Sequence, residues 1–102
     1  MRKSTKEEIR NIVHNEMVEQ LAEALEIELW KYAHDSYGWD VRKDITSYGG
    51  YCGVDIYAVH NDIDMEIELI HLHPEDILHC ILTFDKSIER AKEYLDDSLK
   101  RQ

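Results

Sequence analysis

Two dipeptides, Gly49-Gly50 and Asn61-Asp62, separate three runs in which apolar side chains alternate. This pairing of turn signal with period two limits the fold more than any other feature of the chain. Both dipeptides suit two-residue hairpin turns, whose central residues take positive φ. Imposing such a turn at each predicts strands over 41–48, 51–60 and 63–73. It also fixes which residues face each other. Val41 then opposes Ala58 and Ile45 opposes Val54. On the next pair Ala58 opposes Met65, Ile56 opposes Ile67, Val54 opposes Leu69 and Cys52 opposes His71. One face comes out almost wholly apolar from two independent turns. Lys43 points inward from what would be an edge strand, a guard against edge-to-edge pairing.

The flanks read as helices. Ser4-Thr5-Lys6-Glu7-Glu8 holds two overlapping capping boxes, Ser4 to Glu7 and Thr5 to Glu8. From there Val13, Met17, Leu21, Ala24, Leu25, Leu29 and Tyr32 share one arc at 100° per residue. The pattern runs to about His34 and ends at Asp35-Ser36-Tyr37-Gly38. At the other end Asp85 is the expected cap of a last helix, with Ile88, Ala91, Leu95 and Leu99 on one stripe.

Between His73-Pro74-Glu75-Asp76 and Asp85 two readings compete. A fourth strand would place Leu78, Cys80, Leu82 and Phe84 on the apolar face. A short helix over 74–83 would put Pro74 at its first position. The shared face and β-branched content favour the strand. The expected fold is α+β, a two-layer α-β-β-β-β-α sandwich: an antiparallel meander with both helices on one face. Three strands with a short helix at 74–83 is the alternative. No repeat, low-complexity tract or linker divides residues 1–102, and a chain of this length buries enough surface for one core. A single domain is expected.

The charge is unevenly spread. The chain carries 22 Asp and Glu against 12 Lys and Arg, a formal net charge of −10. From Asp44 to Asp85 there are nine acids and no Lys or Arg. Glu16, Glu19, Glu23 and Glu26 share the helix side opposite the apolar stripe, with Trp30 among them. Such a balance makes bare nucleic acid and anionic membranes poor partners. No apolar run approaches a membrane span, no leader-like segment opens the sequence, and Cys52 and Cys80 form no disulfide framework. A cytoplasmic setting is expected.

If both helices cover one sheet face, the other is open. There the derived register sets Asp44, Asp55 and Glu68 side by side on strands about 4.8 Å apart, where like charges repel. Tyr57 and Glu66 lie on the same face, as do Tyr48 and Tyr51. Two partner-binding surfaces follow: Asp44, Asp55, Tyr57, Glu66 and Glu68 on the sheet, and Glu16, Glu19, Glu23, Glu26 and Trp30 on the helix. Ile70, Leu72, Ile77 and Ile81 would form an exposed apolar group on the sheet face, a candidate homodimer interface.

The string His71-Leu72-His73-Pro74 places two imidazoles on one strand face. It resembles the His-x-His-Pro element of the JAMM-type metalloproteases, in which an Asp follows ten residues after the second His. Here Phe84 holds that position, Asp85 comes one place late and the intervening Ser is absent, so the resemblance ends with the string. A local metal set would be Cys52, His71 and His73, with Asp76 beside them and zinc as the ion. The competing reading makes these histidines hydrogen-bonded core residues, and no cofactor is expected. Gly49-Gly50-Tyr51-Cys52-Gly53 lacks the following helix that a phosphate site requires. No nucleophile–base arrangement stands out.

The expected function is therefore non-enzymatic: a small acidic protein-binding module that docks on a basic, nucleic-acid-binding partner as an inhibitor or nucleic-acid mimic. One rival is an acidic secretion-type chaperone, since the order of elements resembles class I secretion chaperones in architecture. Others are a self-associating structural protein and a small metal-binding protein. A metal-dependent hydrolase is the minority enzyme reading.

Overall fold

The computed structural model describes residues 5–48, 51–60, 62–73 and 77–100, with the side chains of 5–13, 47, 48, 51 and 52 left aside. The first helix, α1, spans Thr5–Tyr37. Three antiparallel strands follow, β1 (Asp40–Tyr48), β2 (Tyr51–His60) and β3 (Met65–Leu72). Two helices close the chain, α2 (Ile77–Leu82) and α3 (Phe84–Lys100). The strands lie in sheet order β1-β2-β3, so β1 and β3 are edges. The molecule measures 59 × 27 × 18 Å, its length set by the 33 residues of α1. Among the described residues no helix is long and apolar enough to cross a membrane.

α1 stops where the chain needs a residue tolerant of positive φ. Gly38 has φ 72° and donates its N–H to the His34 carbonyl at 3.0 Å. This closes the helix in the left-handed manner that a Cβ disfavours. The Trp39 N–H reaches back to the Ala33 carbonyl and the chain turns into β1.

α1 packs on β1 and β2, while α3 packs on β3 and on α1. The buried face of α1 is Val18, Leu21, Ala22, Leu25, Leu29 and Ala33. Relative to the predicted arc it is turned towards Val18, Ala22 and Ala33, because α1 is wedged between the sheet and α3. Met17, Ala24 and Tyr32 fall at the margin, and the predicted Val13 lies outside the described side chains. Val41, Val54, Ile56, Ala58, Ile67 and Ile70 complete the sheet side, and Ile88, Ala91 and Leu95 complete α3. Each fully buried aliphatic side chain contributes about 1.5–3 kcal/mol. No polar or charged residue is buried among the described ones. Lys43 does turn towards the helix layer, where it meets Glu26 of α1 at 3.2 Å.

The first hairpin has the predicted register: Val41 pairs with Ala58, Ile45 with Val54, and Tyr48 with Tyr51. The glycines that prompted it, 49 and 50, lie outside the described residues. The second hairpin differs. His60 pairs with Met65, so the connection has four residues, with Asp64 at φ 46°, rather than the two of an Asn-Asp turn. Ala58 accordingly opposes Ile67, not Met65. A bulge then follows: Tyr57 pairs with Glu68 but Ile56 with Ile70, leaving Leu69 as an extra residue. The turn displaces the register by two and preserves facing; the bulge adds one and reverses it.

For 77–82 the structure takes the helical alternative, so the sheet has three strands and the expected fourth is absent. Ile77, Cys80 and Phe84 reach the core from α2 and the start of α3, a spacing of three and four rather than two. Thr83 separates the two helices. Its carbonyl accepts the Ser87 N–H at 3.0 Å, which makes Thr83, not Asp85, the residue that opens α3. Its hydroxyl donates back to the His79 carbonyl at 2.9 Å.

Candidate functional site

The bulge decides what stands on the uncovered face. Before it, Glu66 and Glu68 of β3 point outward; after it, His71 does, while Ile70 turns into the core. The row predicted as Asp44, Asp55 and Glu68 becomes Asp44, Asp55 and His71, since Asp44 pairs with Asp55 and Asp55 with His71. Glu68 moves to the neighbouring row, opposite Tyr57. It still converges on the same place: donor atoms of Asp55, Glu68 and His71 all lie within 4.8 Å of one another.

His71 is the centre of this group. Its Nδ1 is hydrogen-bonded with Asp55 Oδ1 and stands 3.7 Å from Glu68 Oε1. Its Nε2 is 3.0 Å from Nε2 of His73, the rings meeting nearly edge-on. The hydrogen bond and charge of Asp55 raise the imidazole pKa above its ordinary 6.5; partial burial opposes this and Glu68 adds to it. In its charged form His71 donates Nδ1–H to Asp55 and Nε2–H to His73. Gly53 forms the floor beneath: a Cβ there would come within 3.0 Å of Thr46 Oγ1 and 3.9 Å of the His73 ring.

Asp44, Asp55, Tyr57, Glu66, Glu68 and His71 line one open depression of about 550 Å³. All five sheet residues predicted for partner binding are therefore brought together, and His71 joins them. Arg42 is on the same face but is engaged by Asp40, 3.7 Å away. The helix set is spread more thinly. Glu16, Glu19 and Glu23 are exposed, and Glu26 is half-buried beside Lys43. Trp30 is 41% exposed and stacks on His34 at 4.8 Å.

The apolar group predicted on this face does not exist as such. Ile70 is buried, and Leu72 and Ile77 pack against the core; Ile81 alone of the four is exposed, on α2. The cause is the bulge for Ile70 and Leu72, and the helical period for Ile77 and Ile81. The metal set of Cys52, His71 and His73 is likewise not assembled on the covered face. His71 opposes Asp55 rather than Cys52, on the open side. The Cys52 side chain and Asp76 lie outside the described residues.

Sequence reasoning missed the pairing of His71 with Asp55 and the cleft of Trp30, His34, Trp39 and His60 between α1 and the β2–β3 turn. The first had a visible signal: apolar positions 65 and 67 give way to 70 and 72, a change of phase that marks a bulge. Comparison with protein-family models, with curated proteins and with solved structures finds no match.

Proposed function

We propose that this chain is a small acidic protein-binding module that docks a basic, nucleic-acid-binding partner on the uncovered face of its sheet. The observation that carries the reading is the depression lined by Asp44, Asp55, Tyr57, Glu66 and Glu68. It belongs to a stretch with no Lys or Arg from Asp44 to Asp85. Carboxylates set around a Tyr offer a basic side chain several acceptors and a flat amphipathic surface at once. Exposed Glu16, Glu19 and Glu23 make a second acidic surface, on α1, at spacings of about 5–6 Å between neighbours. A partner built to hold backbone phosphates would meet a comparable charge density.

The test is affinity capture from native extract with the wild-type chain and with the Asp55→Lys/Glu68→Lys double variant. Basic proteins retained by the first, released as salt rises and absent from the second are the expected result. Equal capture by both would sink the sheet-face reading.

Self-association is a second reading, favoured by one observation. Leu78, Ile81 and Leu82 of α2 are 65%, 44% and 84% exposed. Ile81 and Leu82 line a groove of about 450 Å³ with Met17, Leu21 and Phe84. Contiguous apolar surface of this kind marks association sites. Sedimentation of wild type against Leu82→Asp separates a dimer from a monomer.

A further inference from the structure

We propose that Asp55, Glu68 and His71 bind one divalent transition-metal ion, with His71 Nδ1 and one oxygen from each carboxylate as ligands and His73 holding the other imidazole nitrogen.

The donor set is the first argument. One imidazole nitrogen with two carboxylate oxygens suits zinc and its first-row neighbours better than calcium or magnesium, which take oxygen alone. Without a thiolate the set does not select copper(I). Three protein ligands leave a position for water, the pattern of open rather than structural sites.

Geometry is the second. Metal–ligand bonds of about 2.0–2.1 Å in a tetrahedron require ligand atoms roughly 3.3 Å apart. Nδ1 of His71 is already 3.7 Å from Glu68 Oε1 and in direct contact with Asp55 Oδ1. Side-chain rotation closes the Glu68 pair by about 0.4 Å and opens the Asp55 pair to the same separation. The three side chains are 30–62% exposed, so an ion can enter from solvent.

The third argument is the outer contact. A metal on Nδ1 requires the remaining proton on Nε2, and there His73 Nε2 waits at 3.0 Å as acceptor. Ligating histidines nearly always donate their second N–H to a fixed acceptor such as a carboxylate, a backbone carbonyl or water; here a neutral His73 imidazole takes that place. The ion displaces the proton that Nδ1 shares with Asp55, so one proton leaves when a charged His71 is metallated.

The inference does not rest on a docked partner, and its test uses none. The untagged chain, stripped by chelator, is titrated with zinc by calorimetry and with cobalt(II) by visible absorption. One ion per chain is expected. Saturable binding disappears in His71→Ala and in Asp55→Asn. It weakens about 10–100-fold in His73→Ala and is unchanged in Glu93→Gln, an exposed position on α3. Circular dichroism checks that each variant is folded. In the wild type, substoichiometric cobalt should shift the ring protons of His71 and His73 before those of His14, His34, His60 or His79. Absence of saturation by millimolar zinc, undiminished binding by folded His71→Ala, or cobalt shifts centred on another histidine would each overturn the proposal.

Discussion

Asp96 joins the two helices through one carboxylate. Tyr32 donates its hydroxyl to Oδ1 and Oδ2 at 2.6 and 2.8 Å, and Tyr37 donates to Oδ1 at 2.6 Å. Lys92 lies over the Tyr32 ring at 5.1 Å. The Tyr32 and Tyr37 hydrogen bonds hold the Asp96 pKa below its ordinary 3.8, against the opposing effect of burial. In return the Asp96 hydrogen bond, with burial, pushes Tyr32 from 10.0 up to about 12. The signs fix a pH window. A depressed carboxylate contributes stability above its unfolded value and loses it as pH falls through the folded one. A raised phenol contributes below pH 10 and loses that contribution as pH rises towards 12. Asp96→Asn should therefore lower the urea midpoint at pH 7, and the gap from wild type should begin to narrow below about pH 4 and go on narrowing as pH falls. Its Tyr32 should titrate nearer 10 in ultraviolet absorbance. A gap as wide at pH 2 as at pH 7 would contradict the linkage. The sequence showed Tyr32 only as a member of an apolar stripe. Its hydroxyl partner lies 64 residues away, a distance no local pattern spans.

Among the elements, β3 shows best what a sequence reveals and what it conceals. Alternation correctly marked a strand, and the apolar residues of β1 and β2 were assigned the right face from one turn. The second turn was misread by two residues, which did no harm to facing because the strand period is two. The single extra residue at Leu69 did the rest: it buried Ile70 and exposed His71. Without Leu69 the alternation from Met65 to Leu72 would be regular, with Glu68 outside, Ile70 inside and His71 outside. Deleting Leu69 should thus leave a folded sheet with the same pairs, at a cost of about 1–2 kcal/mol for a half-buried Leu. It should change the spacing of Glu68 from His71, since the bulge that brings them to 3.7 Å is gone. Amide cross-peaks in two-dimensional NMR report the pairing, and denaturant unfolding reports the cost. A chain that no longer unfolds cooperatively would show that the bulge itself is required. The helix over 77–82 was legible only as an alternative, because Ile77 and Ile81 are spaced for a helix while Leu78, Cys80 and Leu82 also alternate.

At the scale of the whole molecule, the acidity on which the proposed docking rests works against the fold of the chain. Asp44 and Asp55 are directly opposed on neighbouring strands, an arrangement that costs a few tenths of a kcal/mol to about 1 kcal/mol. His71 offsets the charge of Asp55 from one side, and among the described residues no cation is paired with Asp44. The net charge of −10 adds a diffuse repulsion. Screening reaches about 30 Å at 0.01 M salt but only about 10 Å at 0.1 M, so sodium chloride should raise the melting temperature of the free protein over that range. Asp44→Asn should raise it at low salt by an amount equivalent to about 0.2–1 kcal/mol and flatten its salt dependence. Docking to a basic partner should respond with the opposite sign, because the same screening removes the attraction. Salt then tests the proposed docking against the fold: it should strengthen the fold and weaken any complex made through the same carboxylates. A low-salt melting temperature that falls in Asp44→Asn would mean that Asp44 is held by a favourable contact, and the acidic face would no longer be a surface kept charged at the expense of stability.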